Sequence, residues 1–290
     1  MTPSISHLLS WSVTVINRRT VIAALAGAPA VSALGAAVGS TPASADDLYP
    51  SNSALYADPA VVEGVDYGRR YRRHLIDDRS PRHRTPFVRT TVIAPHGGGI
   101  EGGTSELCLA VAGYHPADLA PPPAAGPTYD FWMFEGLRSS NNRELHVTST
   151  RCDDVVARAM CAGSLNVLSL HGCSTARAGV EPGARAVLVG GLNPDFRRFL
   201  MEEFAAAGVR AVTASGREEI AGASPENICN RSLLGMGAQL ETTTELRTAM
   251  FVQGGKTPAD WAARTLPLFW SFTTAVRTAI QRLEATQPVP

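Results

Sequence analysis

Lysine is nearly missing from this sequence: Lys256 is the single one, and arginine supplies the rest of the basic charge. Such one-sided usage reflects codon bias as much as guanidinium chemistry, so no single arginine is strong evidence of function. Net charge is missing too, because 26 basic residues balance 26 acidic ones. A neutral chain has no overall field to draw it onto nucleic acid or an anionic membrane. No CxxC pair occurs among the five cysteines, Cys108, Cys152, Cys161, Cys173 and Cys229. That spacing argues against structural zinc on cysteine, and an odd number leaves at least one thiol unpaired within a monomer. There is no full GxxxxGK[ST] and no GxSxG, which argues against a P-loop and a serine-hydrolase elbow. What remains is an ordinary globular composition, 44% apolar and 18% charged over 290 residues, unlike that of disordered or disulfide-framework chains.

A further absence is local. No acidic residue occurs from Met1 to Ala45. Within that stretch Arg18-Arg19 precedes an apolar, small-residue run from Thr20 to Val38, and Ala43-Ser44-Ala45 forms an A-x-A pattern just before Asp46-Asp47. This is the layout of a cleaved export signal. Gly27, Pro29, Gly35 and Gly39 make the run weakly hydrophobic for a lasting membrane anchor. Asn17-Arg18-Arg19-Thr20-Val21-Ile22 resembles the twin-arginine signal that engages the twin-arginine export machinery, with a general secretory signal as the alternative. Both routes imply a secreted, extracytoplasmic protein. Removing residues 1–45 leaves 290 − 45 = 245 residues, enough for one α/β domain.

Residues 46–86 are polar and arginine-rich. Arg69, Arg70, Arg72 and Arg73 alternate with Tyr67 and Tyr71 as in a nucleic-acid arm, but interspersed Asp66, Asp77 and Asp78 favour a solvated segment packed on the domain. Residues 87–290 then alternate strands and helices. Strands are expected at Val88–Pro95, Tyr129–Phe134, Leu165–Leu170, Ala186–Val189, Val209–Thr213 and Ala238–Thr242, and helices at Ser105–Tyr114, Asp153–Ala162 and Asp195–Ala207. A long last helix should begin at the Thr257-Pro258 cap and kink at Pro267. The class expected is α/β, a single domain with an open, mixed but mostly parallel sheet flanked by helices.

Polar groups at strand ends carry the chemistry. His96-Gly97-Gly98-Gly99-Ile100-Glu101 follows the first core strand, where open α/β sheets place their sites, and the glycines let His96 and Glu101 converge. His171 ends the strand Leu168–Leu170. Two histidines, a carboxylate and an open position suit catalytic zinc. His146, in Glu144-Leu145-His146-Val147-Thr148, rivals His171 for the third position. Glu241 lies on an otherwise apolar strand and can serve as the proton-handling carboxylate, while Arg231, beside Asn230, can stabilise an oxyanion or bind a carboxylate.

Taken in order, the stretch from His96 through Glu106, the run Phe134 to Asn142, the segment Leu145 to Thr150, and Leu170-His171-Gly172-Cys173 resemble the poly-γ-glutamate hydrolase family. The resemblance spans roughly Val88 to Arg247. It implies a fold similar to zinc carboxypeptidases, hydrolysis of γ-glutamyl amide bonds, Zn2+ on His96, Glu101 and His171, and Glu241 as general base. The correspondence of Arg231 to the carboxypeptidase Asn-Arg pair is looser. An anionic polymer or γ-glutamyl peptide would be the partner, with Arg138, Arg143, Arg177 and Arg247 near the motifs as its cationic contacts; nucleic acid is not expected. Two rivals stay open: an amidase acting on γ-glutamyl bonds of peptidoglycan stem peptides, and a non-catalytic binder of surface polymer.

Overall fold

The computed structural model describes residues 47–73, 89–120, 126–214, 216–252 and 262–287. The expected leader and the Thr257-Pro258 cap lie outside these. Among the described residues, no helix is long and apolar enough to cross a membrane.

Seven strands form one sheet: β1 (Tyr67–Arg72), β2 (Thr90–Gly98), β3 (Asp130–Gly136), β4 (Asn166–Cys173), β5 (Val187–Gly190), β6 (Ala211–Thr213) and β7 (Ala238–Thr243). Their spatial order is β1-β3-β2-β4-β7-β5-β6. The four central strands β3, β2, β4 and β7 run parallel, while β1 joins β3 and β5 joins β7 antiparallel. The mixed, mostly parallel α/β sheet expected from the sequence is the one observed. Strands β2, β3 and β7 are buried along their whole length, as strands covered on both faces must be.

Alternation along the strands divides the core into two layers. Val92, Phe131, Met133, Leu168 and Leu240 face the helices Thr104–Ala112, Pro194–Ala206 and Pro267–Thr286. Ile93, Trp132, Phe134 and Val167 face Asn52–Tyr56 and Val155–Ala162. The last helix packs Phe272 on Phe204, with ring centroids 4.8 Å apart. Pro267, expected as a kink, is instead the first residue of this helix. That position leaves its missing N–H without cost.

The arginine-rich segment holds the edge strand β1, which its composition did not announce. Edge strands tolerate charge because one side of the ladder is solvated. Its arginines meet carboxylates: Arg69 binds Glu63 and Asp154, and Arg70 clasps Glu135 through two hydrogen bonds of 2.5 and 2.8 Å. All five cysteines are free thiols.

Glu106, on the helix Thr104–Ala112, is buried near the Arg70–Glu135 pair. Burial pushes its carboxyl up to about 7; Glu135 adds to this and Arg70 opposes it. The folded chain thus keeps a proton that the unfolded chain releases near 4.5. Between these values the unfolded state binds fewer protons, so stability is present at low pH and lost as pH rises towards 7. Urea unfolding at pH 5 and pH 8 should show the wild type losing on the order of 2–3 kcal/mol more than Glu106→Gln across that interval. An equal pH slope in both would contradict the assignment.

Candidate metal centre and active site

Strands β2, β4 and β7 run parallel and end at one edge of the sheet. The chain leaves β2 towards β3 on one side and later reaches β4 on the other, making the strand-end crevice expected at such a reversal. His96 stands near the end of β2, His171 near the end of β4 and Glu241 on β7, with Glu241 directly in register with His171. Neighbouring strands lie about 4.8 Å apart, and register partners in a parallel pair share a face. Pro95 cannot donate to the ladder, and the β2–β3 register slips by one residue between Ala94 and Gly97. The resulting bulge re-aims His96.

Beyond the bulge a tight turn returns Glu101 to His96, with Glu101 N–H donating to the His96 carbonyl at 2.9 Å. The turn can close because Gly99 and Gly136 pack flush on the Asn142 side chain, where a Cβ at either position would collide. Asn142 itself is fixed by accepting from Arg138 N–H at 3.0 Å and donating to the Arg138 carbonyl at 2.7 Å.

The side chains converge tightly. His96 Nδ1 lies 3.2 Å from Glu101 Oε1 and 3.0 Å from His171 Nδ1, and His171 Nδ1 lies 3.7 Å from Glu101 Oε2. All three residues are buried. His96 Nε2 donates to the Val147 carbonyl at 2.9 Å, which leaves Nδ1 as the atom facing the cluster. His171 Nε2 meets the hydroxyls of Ser169 at 2.8 Å and Ser149 at 3.2 Å. Two ring nitrogens with lone pairs cannot sit 3.0 Å apart without a proton or a cation between them.

Tetrahedral zinc, with bonds of about 2.0 Å, separates its ligand atoms by about 3.3 Å. The two imidazole nitrogens, 3.0 Å apart, each face one oxygen of Glu101 at a distance near that value, so the donor types and their spacing are compatible with zinc. His146 stands beside this cluster, its ring centroid 3.9 Å from that of His96. Its ligand atom lies within 4.8 Å of those of His96 and Glu101, so these three residues form a second candidate donor set. His146 Nδ1 donates to Asp47 Oδ1 at 2.5 Å, and Asp47 Oδ2 accepts from Thr148 N–H at 2.8 Å.

The electrostatics follow from burying so many titratable groups together. Burial raises the Glu101 carboxyl, but His96, His171 and His146 outweigh it and bring the pKa down to about 2. Burial depresses His96, yet Glu101 more than offsets this and leaves the ring above its ordinary value. Burial and the neighbouring His96 depress His171 to about 3 and hold His146 below its ordinary value. Glu241 is pushed well up, first by burial and then by Glu101. Burial raises Asp47 as well, but the hydrogen bonds from His146 and Thr148 win and hold it at about 2.

The arginines divide. Arg247 is buried, donating to the Gly102 carbonyl at 2.9 Å and to the Thr242 carbonyl, and its charge acts on Glu101 and Glu241. Arg177 is exposed on the short helix after β4, and its charge is felt by both His171 and Glu241. Arg138 is held by Asp66 and Glu144, 2.8 and 2.9 Å away. Arg143 is exposed on the 3-10 turn preceding His146. Arg231 is paired at the surface with Glu226, and none of its described contacts reaches the histidines or Glu241. Sequence reasoning missed Asp47, Asn142 and the hydroxyls of Ser149 and Ser169. Only Ser169 had a signal, because two residues before His171 on a strand means the same face.

The fold and site together define an open α/β protein with a buried histidine-carboxylate cluster at its parallel strand ends. The sequence profile of the poly-gamma-glutamate hydrolase family matches residues 77–274, and the chain belongs to that family. Among solved structures, it is similar to a bacteriophage poly-gamma-glutamate hydrolase, at 27% identity and a TM-score of 0.66, over 83% of this chain and all of that one. It is also similar to the zinc-free form of YndL, at 30% identity and a TM-score of 0.63, over 82% of this chain and 98% of that one. Among curated Bacillus subtilis proteins, the SPbeta prophage-derived protein YoqZ is 35% identical over 163 residues, 56% of this chain and 52% of its own length. YndL is 36% identical over 160 residues, 55% of each. The alignments thus span about half the length of these curated relatives.

Gly172 links the cluster to Arg247. Its N–H donates to Glu101 Oε2 at 2.8 Å, and a Cβ there would collide with the Arg247 guanidinium. Gly172→Ala should therefore destabilise the fold by about 1–3 kcal/mol, read as a lowered urea midpoint. An unchanged midpoint would mean that Arg247 moves aside freely.

Proposed function

We propose that this protein is an exported, zinc-dependent hydrolase of γ-glutamyl amide bonds, acting on poly-γ-glutamate. The observation that carries the reading is the convergence of His96 Nδ1 and His171 Nδ1, 3.0 Å apart, on the Glu101 carboxylate, whose Oε1 lies 3.2 Å from the first and Oε2 3.7 Å from the second. Membership of the poly-gamma-glutamate hydrolase family supports the reaction class. A zinc-free form of the related YndL supports the choice of metal. Export rests on the leader pattern that ends at Ala45.

Zinc held by His96, Glu101 and His171 would polarise the scissile carbonyl and lower the pKa of water towards neutrality. Glu241 supplies the proton handling. It lies in register with His171 and, in its ionised form, would take a proton from the attacking water and deliver it to the departing nitrogen. Gln239 donates to Glu241 Oε1 at 3.0 Å and orients the carboxylate. Arg247 offsets the negative charge of Glu101 and Glu241 from behind.

The polymer's free carboxylates need exposed cations. Arg177, exposed on the helix after β4, offers one, whereas Arg138 and Arg231 already answer protein carboxylates. Chelation should abolish hydrolysis of poly-γ-glutamate and added Zn2+ should restore it. Glu241→Gln should keep one zinc per chain while kcat falls about 10²–10⁴-fold. Full activity after demetallation, or loss of zinc from Glu241→Gln, would overturn these assignments.

A further inference from the structure

We propose that Asp47 is a positioning residue that locks the His146 ring as its Nδ1–H tautomer and so presents the Nε2 lone pair to the reaction centre. The inference rests on the zinc-hydrolase reading and adds a residue from outside the matched motifs. Asp47 lies 99 positions before His146 in the chain, yet both of its carboxylate oxygens are committed to that segment. Oδ1 accepts from the His146 ring at 2.5 Å and Oδ2 accepts from the Thr148 backbone at 2.8 Å. A carboxylate with no proton only accepts, so the ring nitrogen facing it carries the hydrogen. Gripping the ring and the backbone two residues on fixes one relative to the other.

The arrangement repeats what the other two histidines receive. His96 is anchored at Nε2 by the Val147 carbonyl, and His171 at Nε2 by Ser169 and Ser149. His146 is anchored at the opposite ring nitrogen, by a carboxylate from outside the cluster. The Nε2 atom it frees lies on a ring 3.9 Å, centroid to centroid, from His96. There it can accept a hydrogen bond from the N–H of the bound amide. Carboxylate partners of metal-ligating histidines are typically worth about 10–100-fold in metal affinity or activity, and a partner that orients a histidine beside the cluster is expected to act on the same scale.

The position of Asp47 has a further consequence. It is two residues beyond Ala45, the end of the A-x-A pattern. A cut after Ala45 keeps this group in the exported chain, whereas a cut two residues later removes it. The leader boundary and the active site are thereby tied together.

Ring 15N NMR of the metal-free chain reads the tautomer without zinc or substrate. Wild type should show His146 protonated at Nδ1, and Asp47→Ala should show a mixture with Nε2–H. With zinc and poly-γ-glutamate, Asp47→Ala should lower kcat 10–100-fold with KM changed less than about threefold, and should cause no further loss in a His146→Gln background. Asp47→Asn keeps one acceptor; if Asp47→Ala does not fold, this variant carries the test by retaining the tautomer and losing less than tenfold in kcat. An unchanged tautomer or an unchanged kcat in Asp47→Ala overturns the proposal, as does Asp47→Asn that keeps the tautomer but is as slow as His146→Gln. A wild-type chain inactive on poly-γ-glutamate overturns the functional reading and the catalytic consequence drawn here. An active wild type indifferent to Asp47→Ala overturns this inference alone.

Discussion

Glu101 sits between two histidine rings in a pocket almost closed to water, and the rest of the structure is arranged around that confinement. A buried carboxylate is costly unless it is paired and hydrogen-bonded. Here the cost is offset by His96 at 3.2 Å, by His171 at 3.7 Å and by the Gly172 N–H at 2.8 Å. Each of those partners is itself held. Val147, Ser149 and Ser169 anchor the rings, and Arg247 stands behind the carboxylates on the Gly102 and Thr242 carbonyls. The outcome is a cluster of donors whose spacing suits an ion before one arrives, the kind of preorganisation that metal catalysis needs.

Much of this was legible in the sequence because strand chemistry is local. Apolar runs ending in histidine or glutamate marked β2, β4 and β7, and the glycines after His96 announced a sharp turn. What stayed hidden depended on distant packing. The edge strand Tyr67–Arg72 read as solvated because four of its six residues are tyrosine-flanked arginines or glycine; only its pairing with β3 gives Arg70 the partner Glu135. Asn142 and Asp47 have no signature of their own, since their roles consist of contacts made across the fold. Both His146 and His171 stand against His96 in the fold, a juxtaposition that spacing along a chain cannot encode.

Charge neutrality also takes on a clearer meaning. Arg18 and Arg19 are the only charged residues of the first 45, so the remaining chain carries 26 − 2 = 24 basic against 26 acidic residues. Overall attraction for a polyanion is therefore absent. Most arginines near the motifs are spent inside the protein: Arg70 on Glu135, Arg138 on Asp66 and Glu144, Arg231 on Glu226, Arg247 on backbone carbonyls. A carboxylate-rich substrate would be recognised at short range, by the ion and by exposed groups such as Arg177 beside it.

The zinc site proposed for this chain lies at His96, Glu101 and His171. Anomalous diffraction at the zinc edge from crystals grown with Zn2+ tests it most directly. The account predicts a single strong peak about 2.0 Å from His96 Nδ1, His171 Nδ1 and a Glu101 oxygen, with His146 still bound to Asp47. A peak that replaces His171 by His146, or no peak in this cluster at all, would contradict it.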